Sequence, residues 1–141
     1  MNSMKDRCFV DTNVLIYAHD TDQTRKNPVA RKLLVDLVKT RNIVLSPQVL
    51  QEFYVNVTRK ISKPIAKRVA RDIVNDFGIW SVDTTAADIA TAFRIEDESK
   101  INFWDALICA SALKSGATII LSEDLNAGQK IAGLEIRNPF L

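Results

Sequence analysis

Asp11, Glu52, Asp105 and Asp124 are the side chains of this sequence best placed to do chemistry together. Asp11 directly follows the apolar run Cys8–Val10, and Asp124 follows the β-forming run Thr118–Leu121 with only Ser122 and Glu123 between. Asp105 is the third residue after Asn102, and Glu52 falls in the second turn of a helical pattern opened by Ser46-Pro47. Each has an ordinary role available: Asp11 as a helix cap, Asp105 as an acid in a first helical turn, Asp124 as a turn former, Glu52 as a surface glutamate. Gathered at one place, however, four carboxylates repel and raise one another's pKa unless a cation neutralises them. A donor set made only of oxygen suits Mg²⁺ or Mn²⁺ better than zinc. Such ions activate water against phosphate esters and stabilise the leaving oxygen.

Few other chemistries are open. His19 is the only histidine, which excludes a pair of imidazoles acting as acid and base. Cys8 and Cys109 lie in no metal-ligand spacing and are too few for a disulfide framework, so they read as buried free thiols. Thr12, Asn13 and Ser122 flank the acids and can orient them or a bound water by hydrogen bonds, besides serving as turn and cap residues. Arg59, Lys60, Lys63, Lys67, Arg68 and Arg71 follow one another with no acid between them. They read as a solvated helix face or, as a group, as a track for a phosphate backbone. The net charge of +2 does not by itself announce nucleic acid.

The elements that must position these residues alternate short β-branched runs with helical patterns. That pattern specifies an α/β domain with a mainly parallel sheet. Strands are expected at Cys8–Val10, Ile43–Leu45, Ile79–Val82 and Thr118–Ser122, with Leu134–Arg137 as an edge strand. A short helix should carry Val14–Tyr17, and Asn27-Pro28 should open a longer one with Val29, Leu33, Leu34, Leu37 and Val38 inward. Further helices should begin at Ser46-Pro47, at Pro64 and at Thr84 or Thr85. The most apolar helix should run from Phe103 to Lys114, capped by Asn102 and stopped at Gly116. In an open parallel sheet the active crevice lies beyond the carboxyl ends of the strands, and this topology brings all four acids to that rim. At 141 residues, 47% hydrophobic and 26% charged, the chain fits one globular domain, residues 1–141. No run approaches the ~18 apolar residues of a membrane span, and Met1–Arg7 lacks an apolar signal core, so a cytoplasmic protein is expected.

The flanks of the acids resemble those of PIN domains. Phe9-Val10-Asp11-Thr12-Asn13-Val14-Leu15 is similar to the opening motif of that family, Gln51-Glu52-Phe53 to the second, Phe103-Trp104-Asp105-Ala106-Leu107-Ile108 to the third, and Leu121-Ser122-Glu123-Asp124-Leu125 to the fourth. Leu134–Phe140 resembles the end of many bacterial members, and the likeness covers nearly the whole chain. It implies a three-layer α/β/α sandwich and Mg²⁺- or Mn²⁺-dependent endoribonuclease activity. The size implies the toxin half of a VapBC-type toxin–antitoxin pair, with RNA as substrate, an antitoxin protein as partner and a homodimer as assembly. The fourth acid varies among relatives, so the role of Asp124 is the least defined. Phe53, Tyr54 and Val57 are candidates for partner surfaces or for core.

Three rival functions fit parts of the pattern. An aspartate-nucleophile phosphatase also places an acid after its first strand, but it wants a second aspartate two residues on, where this chain has Asn13. A non-catalytic PIN-like module that binds RNA or a partner would not need the intact set of acids. A DNA or flap nuclease would be expected to carry insertions for threading a strand.

Overall fold

The computed structural model describes residues 6–141; Met1–Lys5, most of the polar N-terminal segment, lie outside the described residues. Three short apolar strands, β1 (Cys8–Val10), β2 (Ile43–Val44) and β3 (Ile119–Leu121), form one side of a five-stranded sheet. All eight of their residues are buried, as expected of parallel strands covered on both faces. The hairpin strands β4 (Lys130–Ile131) and β5 (Leu134–Arg137) complete the order β2-β1-β3-β5-β4. Every pairing is parallel except β4 with β5. The chain leaves β1 toward β2 on one side and later returns as β3 on the other, so the sheet has its topological switch point between β1 and β3. That is where Asp11 emerges.

Six helices, α1 (Thr12–Tyr17), α2 (Lys26–Lys39), α3 (Pro47–Arg59), α4 (Lys67–Phe77), α5 (Ala86–Ser99) and α6 (Phe103–Lys114), cover the sheet in the three-layer α/β/α arrangement. Helix α1 packs on α2 and α3, α3 on α4, and α5 on α6. The ends of several are written in the sequence. Ser46 caps α3 through Val49 N–H with Pro47 in the first turn, and Thr85 and Asp88 form a reciprocal capping box at α5. Helix α6 ends where Gly116 takes φ +79° and Ala117 N–H reaches back to the carbonyl of Ala112 at 3.0 Å. This left-handed turn favours glycine because it has no Cβ. Buried residues on nearly every turn of α6, Ala106 through Ala112, make it the central helix of its layer.

Several expectations need correction. The run 79–82 does not make a third strand: residues 78–80 turn as a 3-10 helix, and only Ser81 bridges Leu45. Gly78 and the exposed Ile79 leave no apolar pair to hold a ladder there. Leu134–Arg137 is an inner strand, because Lys130–Ile131 pairs outside it as the edge. Helix α2 starts at Lys26, ahead of Asn27, whose buried side chain instead donates to the Tyr17 carbonyl at 2.8 Å, and Val29 is exposed on it rather than turned inward. Helix α4 begins at Lys67 rather than Pro64, and its buried contact is Ala70, with Val69 turned outward. Phe53 and Val57 are fully buried in the core and are not surface residues. Each contributes roughly 1.5–3 kcal/mol by leaving water. Cys8 and Cys109 are buried free thiols as expected, with burial pushing them up to about 11 and about 12. Among the described residues no helix is long and apolar enough to cross a membrane.

Candidate active site

Asp11 leaves β1 with its backbone N–H still bonded to the Leu121 carbonyl of β3 at 3.0 Å, which pins it across the switch point. Asp11 as a whole is 6% exposed. One carboxylate oxygen caps α1 through Thr12 N–H at 2.8 Å, and the other accepts the Ser122 hydroxyl at 2.7 Å. The capping role and the site role therefore coexist in one side chain. Ser122 Oγ in turn accepts the N–H groups of Asp124 (3.1 Å) and Leu125 (3.2 Å), so the hydroxyl that orients Asp11 also shapes the loop carrying Asp124. Asn13 completes the junction: its Oδ1 accepts Glu123 N–H at 3.0 Å and its Nδ2 donates to Asp124 Oδ2 at 3.1 Å. Asn13 thus holds the Asp124 loop.

The other two acids come from helix starts at the same rim. The Thr12 hydroxyl donates to Glu52 Oε2 at 3.3 Å, joining α3 to the start of α1. Asn102 caps α6, accepting Asp105 N–H and donating to Asp105 Oδ2, both at 2.9 Å. Burial, reinforced by the negative charges of Asp124 and Glu52, pushes Asp11 up to about 6 against the pull of the Ser122 and Thr12 hydrogen bonds. Asp105 is raised by its burial and by the same two neighbours, against the Asn102 hydrogen bond. Asp11 and Asp105 therefore each feel the charges of Asp124 and Glu52. Among the described residues, no three acids, histidines or cysteines are already drawn together tightly enough to grip an ion. What the site offers is a buried carboxylate at its floor with more open acids around it.

The residues present fit a hard divalent cation. Every candidate donor is an oxygen, and repulsion among the carboxylates is the charge imbalance a dication relieves. A further acceptor at the site lacks a donor: Gln48 Oε1 is buried without a hydrogen-bond partner among the described residues.

Sequence reasoning missed two groups here. Gln48, one turn before Glu52, donates to Glu52 Oε1 at 3.1 Å and reaches the Trp104 carbonyl at 3.5 Å; its i, i+4 spacing was the available signal. Glu123 forms an ion pair with Lys26 and accepts the Tyr17 hydroxyl at 2.6 Å, while the Lys26 ammonium lies 4.7 Å from the Tyr17 ring centroid and 5.8 Å from that of Phe140. This cluster ties the Asp124 loop and the chain end to α1 and α2, and no spacing in the sequence announces it.

The basic residues do not gather at the rim. Arg59 lies about 10 Å farther along α3 than Glu52 at the rise of a regular helix, Lys60 ends that helix, and Lys67, Arg68 and Arg71 sit exposed on α4. Lys63 pairs with Asp22 at 3.5 Å, and Arg71 donates to the Tyr54 hydroxyl at 3.2 Å.

A switch-point acid pinned by the serine just past the neighbouring strand, with further acids from the first two turns of two helices, sits in a chain whose residues 8–132 match the family model of the PIN domain. The chain belongs to the PIN domain family. Two solved structures share the fold. VapBC2 from Rickettsia felis, bound to a DNA fragment from their promoter, is 21% identical over 93% of this chain and 97% of that chain, with a TM-score of 0.65. VapC20 of Mycobacterium tuberculosis, a sarcin-ricin loop cleaving toxin, is 20% identical over 83% and 91%, with a TM-score of 0.60. Among curated proteins no match is found.

Proposed function

We propose that this PIN-domain protein is a divalent-metal-dependent endoribonuclease, the toxin of a toxin–antitoxin pair, with Asp11, Glu52, Asp105 and Asp124 as its metal-holding and catalytic acids. The observation that carries the reading is Asp11: a buried carboxylate raised by desolvation and neighbouring acids, oriented by Ser122 and Thr12, at the switch point of the sheet. A resident Mg²⁺ or Mn²⁺ would supply an acidified water and a counter-charge for the leaving oxygen of the phosphodiester. The protein's own contribution is orientation. Ser122 and Thr12 fix Asp11, Thr12 also reaches Glu52, Asn13 steadies Asp124, and Asn102 holds Asp105. With water as nucleophile, the cut leaves a 5′-phosphate and a 3′-hydroxyl. End-group analysis of cleaved RNA tests this directly.

Arg59, Lys60, Lys63, Lys67 and Arg71 are assigned to backbone contact with RNA away from the cut. Lys67 is exposed on the first turn of α4. Lys67→Ala should weaken RNA binding and lower the magnitude of its salt slope by about 0.7 for a single strand, while single-turnover cleavage of bound RNA keeps its rate. An unchanged slope in a filter-binding salt titration would remove Lys67 from the RNA path.

The assembly is assigned as a homodimer that also meets an antitoxin, as the two fold relatives' toxin character suggests. An exposed aromatic group on α5 and α6 is assigned to pairing: Phe93 and Trp104 are 53% and 62% exposed, with Phe103 between them at 5.7 and 5.1 Å. Light scattering should give a dimer that Phe93→Glu/Trp104→Glu converts to a monomer. A monomeric wild type at high concentration, alone and with the product of the neighbouring gene, would discard this assembly.

A further inference from the structure

Gln48 sits in the first turn of α3, just past the Ser46 cap and one turn ahead of Glu52. Its Nε2 donates to Glu52 Oε1 at 3.1 Å, and the same amide nitrogen faces the Trp104 carbonyl, the residue before Asp105, at 3.5 Å. One side-chain amide therefore spans from the acid of α3 to the backbone beside the acid of α6. The amide orientation is fixed by these partners: flipping it would set Oε1 against a carboxylate oxygen and a carbonyl oxygen, both acceptors. In this orientation Oε1 is buried and meets no donor among the described residues. A buried acceptor left without a donor is destabilising, so the amide is held in this pose by its two Nε2 contacts.

We propose that Gln48 is a positioning residue of the carboxylate site: its N–H groups hold Glu52 against the α6 start, in the pose from which Glu52 would meet a divalent ion. The inference rests on the metal-site reading above. Groups that orient ligands from behind commonly change metal affinity by 10–100-fold when removed. Gln48 is half-buried in the first turn of its helix, so an apolar isostere is accommodated there without opening the core.

The test uses the full chain and the metal alone. Mn²⁺ binding is followed by electron paramagnetic resonance for the wild type, Asp11→Asn and Gln48→Met, with thermal melts of all three in chelator. The side-chain amide signals of Gln48, identified by their loss in Gln48→Met, are followed in ¹⁵N-labelled wild type during a Mg²⁺ titration. The expected result is wild-type Mn²⁺ binding weakened at least tenfold by Gln48→Met, at an unchanged melting temperature, with Gln48 amide signals that shift in step with Mg²⁺ saturation. A glutamine that does not touch an ion-holding carboxylate would leave those signals still. Wild-type binding equal to that of Gln48→Met, or amide signals that stay put while the ion binds, overturns the proposal and leaves the metal site standing. A wild type that binds no ion, with titration curves like those of Asp11→Asn, overturns the metal-site reading and this proposal with it.

Discussion

Asp11→Asn should remove most RNA cleavage and at the same time make the ion-free protein more stable at neutral pH. The first effect follows from the proposed role of Asp11 in holding a divalent ion. The substitution keeps the shape of the side chain but deletes the one buried negative charge of the site, and metal activation is worth several kcal/mol, so about a thousandfold or more in rate is at stake. The second effect follows from linkage. Asp11 titrates near 6 in the folded protein against an ordinary 3.8, so the folded state binds the proton more tightly. The associated stability is fully present below 3.8, fades as pH rises through the window up to about 6, and is gone at neutral pH. The buried charge then costs on the order of 3 kcal/mol. Asparagine escapes that cost but forfeits the Ser122 hydrogen bond as it stands, because Ser122 Oγ already accepts two backbone N–H groups. A net gain of about 1–2 kcal/mol, or roughly 3–8 °C in Tm, is expected in chelator at pH 7. The gain should vanish near pH 4, where wild-type Asp11 is protonated. Mg²⁺ should raise the Tm of the wild type and leave the variant unmoved. Equal melting curves for both proteins at pH 7, with and without Mg²⁺, would mean that Asp11 carries no uncompensated charge and holds no ion.

Removing the metal should abolish cleavage entirely, and restoring Mg²⁺ or Mn²⁺ should return it. The pH dependence gives this a signature that a general salt effect lacks. Below about 6 the ion must displace a proton from Asp11, so the metal concentration needed for half-maximal rate should rise about tenfold for each further pH unit. Above that range Asp11 is already ionised and this dependence should flatten. The RNA products should carry 5′-phosphate and 3′-hydroxyl ends throughout. Activity that survives exhaustive chelation, or products ending in 2′,3′-cyclic phosphate, would show that the RNA's own hydroxyl attacks, and the carboxylate site would need another role. Release of phosphate from a small ester without RNA cleavage would revive the phosphatase alternative, although Asn13, which holds the Asp124 loop, stands where that chemistry wants an acid.

The rim of acids was legible in the sequence because each acid is attached to a local signal. Asp11 and Asp124 follow apolar strands, Asp105 follows the Asn102 cap, and Glu52 follows Ser46-Pro47; caps and strand ends depend on a few neighbouring residues. For the same reason β1 and α6 lie where the pattern puts them, Cys8–Val10 and Phe103–Lys114. Strand partners are not local. Whether Ile79–Val82 forms a ladder depends on what Leu45 finds beside it, and whether Leu134–Arg137 is an edge depends on Lys130–Ile131 folding back outside it. Surface and core could not be told apart on α3 either, since Phe53 and Val57 have the same apolar character whether they meet α1 or a partner.

By itself, then, the chain's order of residues determined the alternation of strands and helices, the caps, and which edge of the sheet carries the acids, because each depends on contacts within a turn or on the fixed geometry of parallel connections. Only the tertiary structure decided what those acids experience. It seats Asp11 behind Ser122, more than one hundred residues away in sequence, and it links Glu52 to the Asp105 helix through Gln48. It also anchors the Asp124 loop through Glu123 to Lys26 and Tyr17. Desolvation and hydrogen bonding act over a few ångströms of space regardless of separation along the chain, so they become definite only when the fold has brought those residues together.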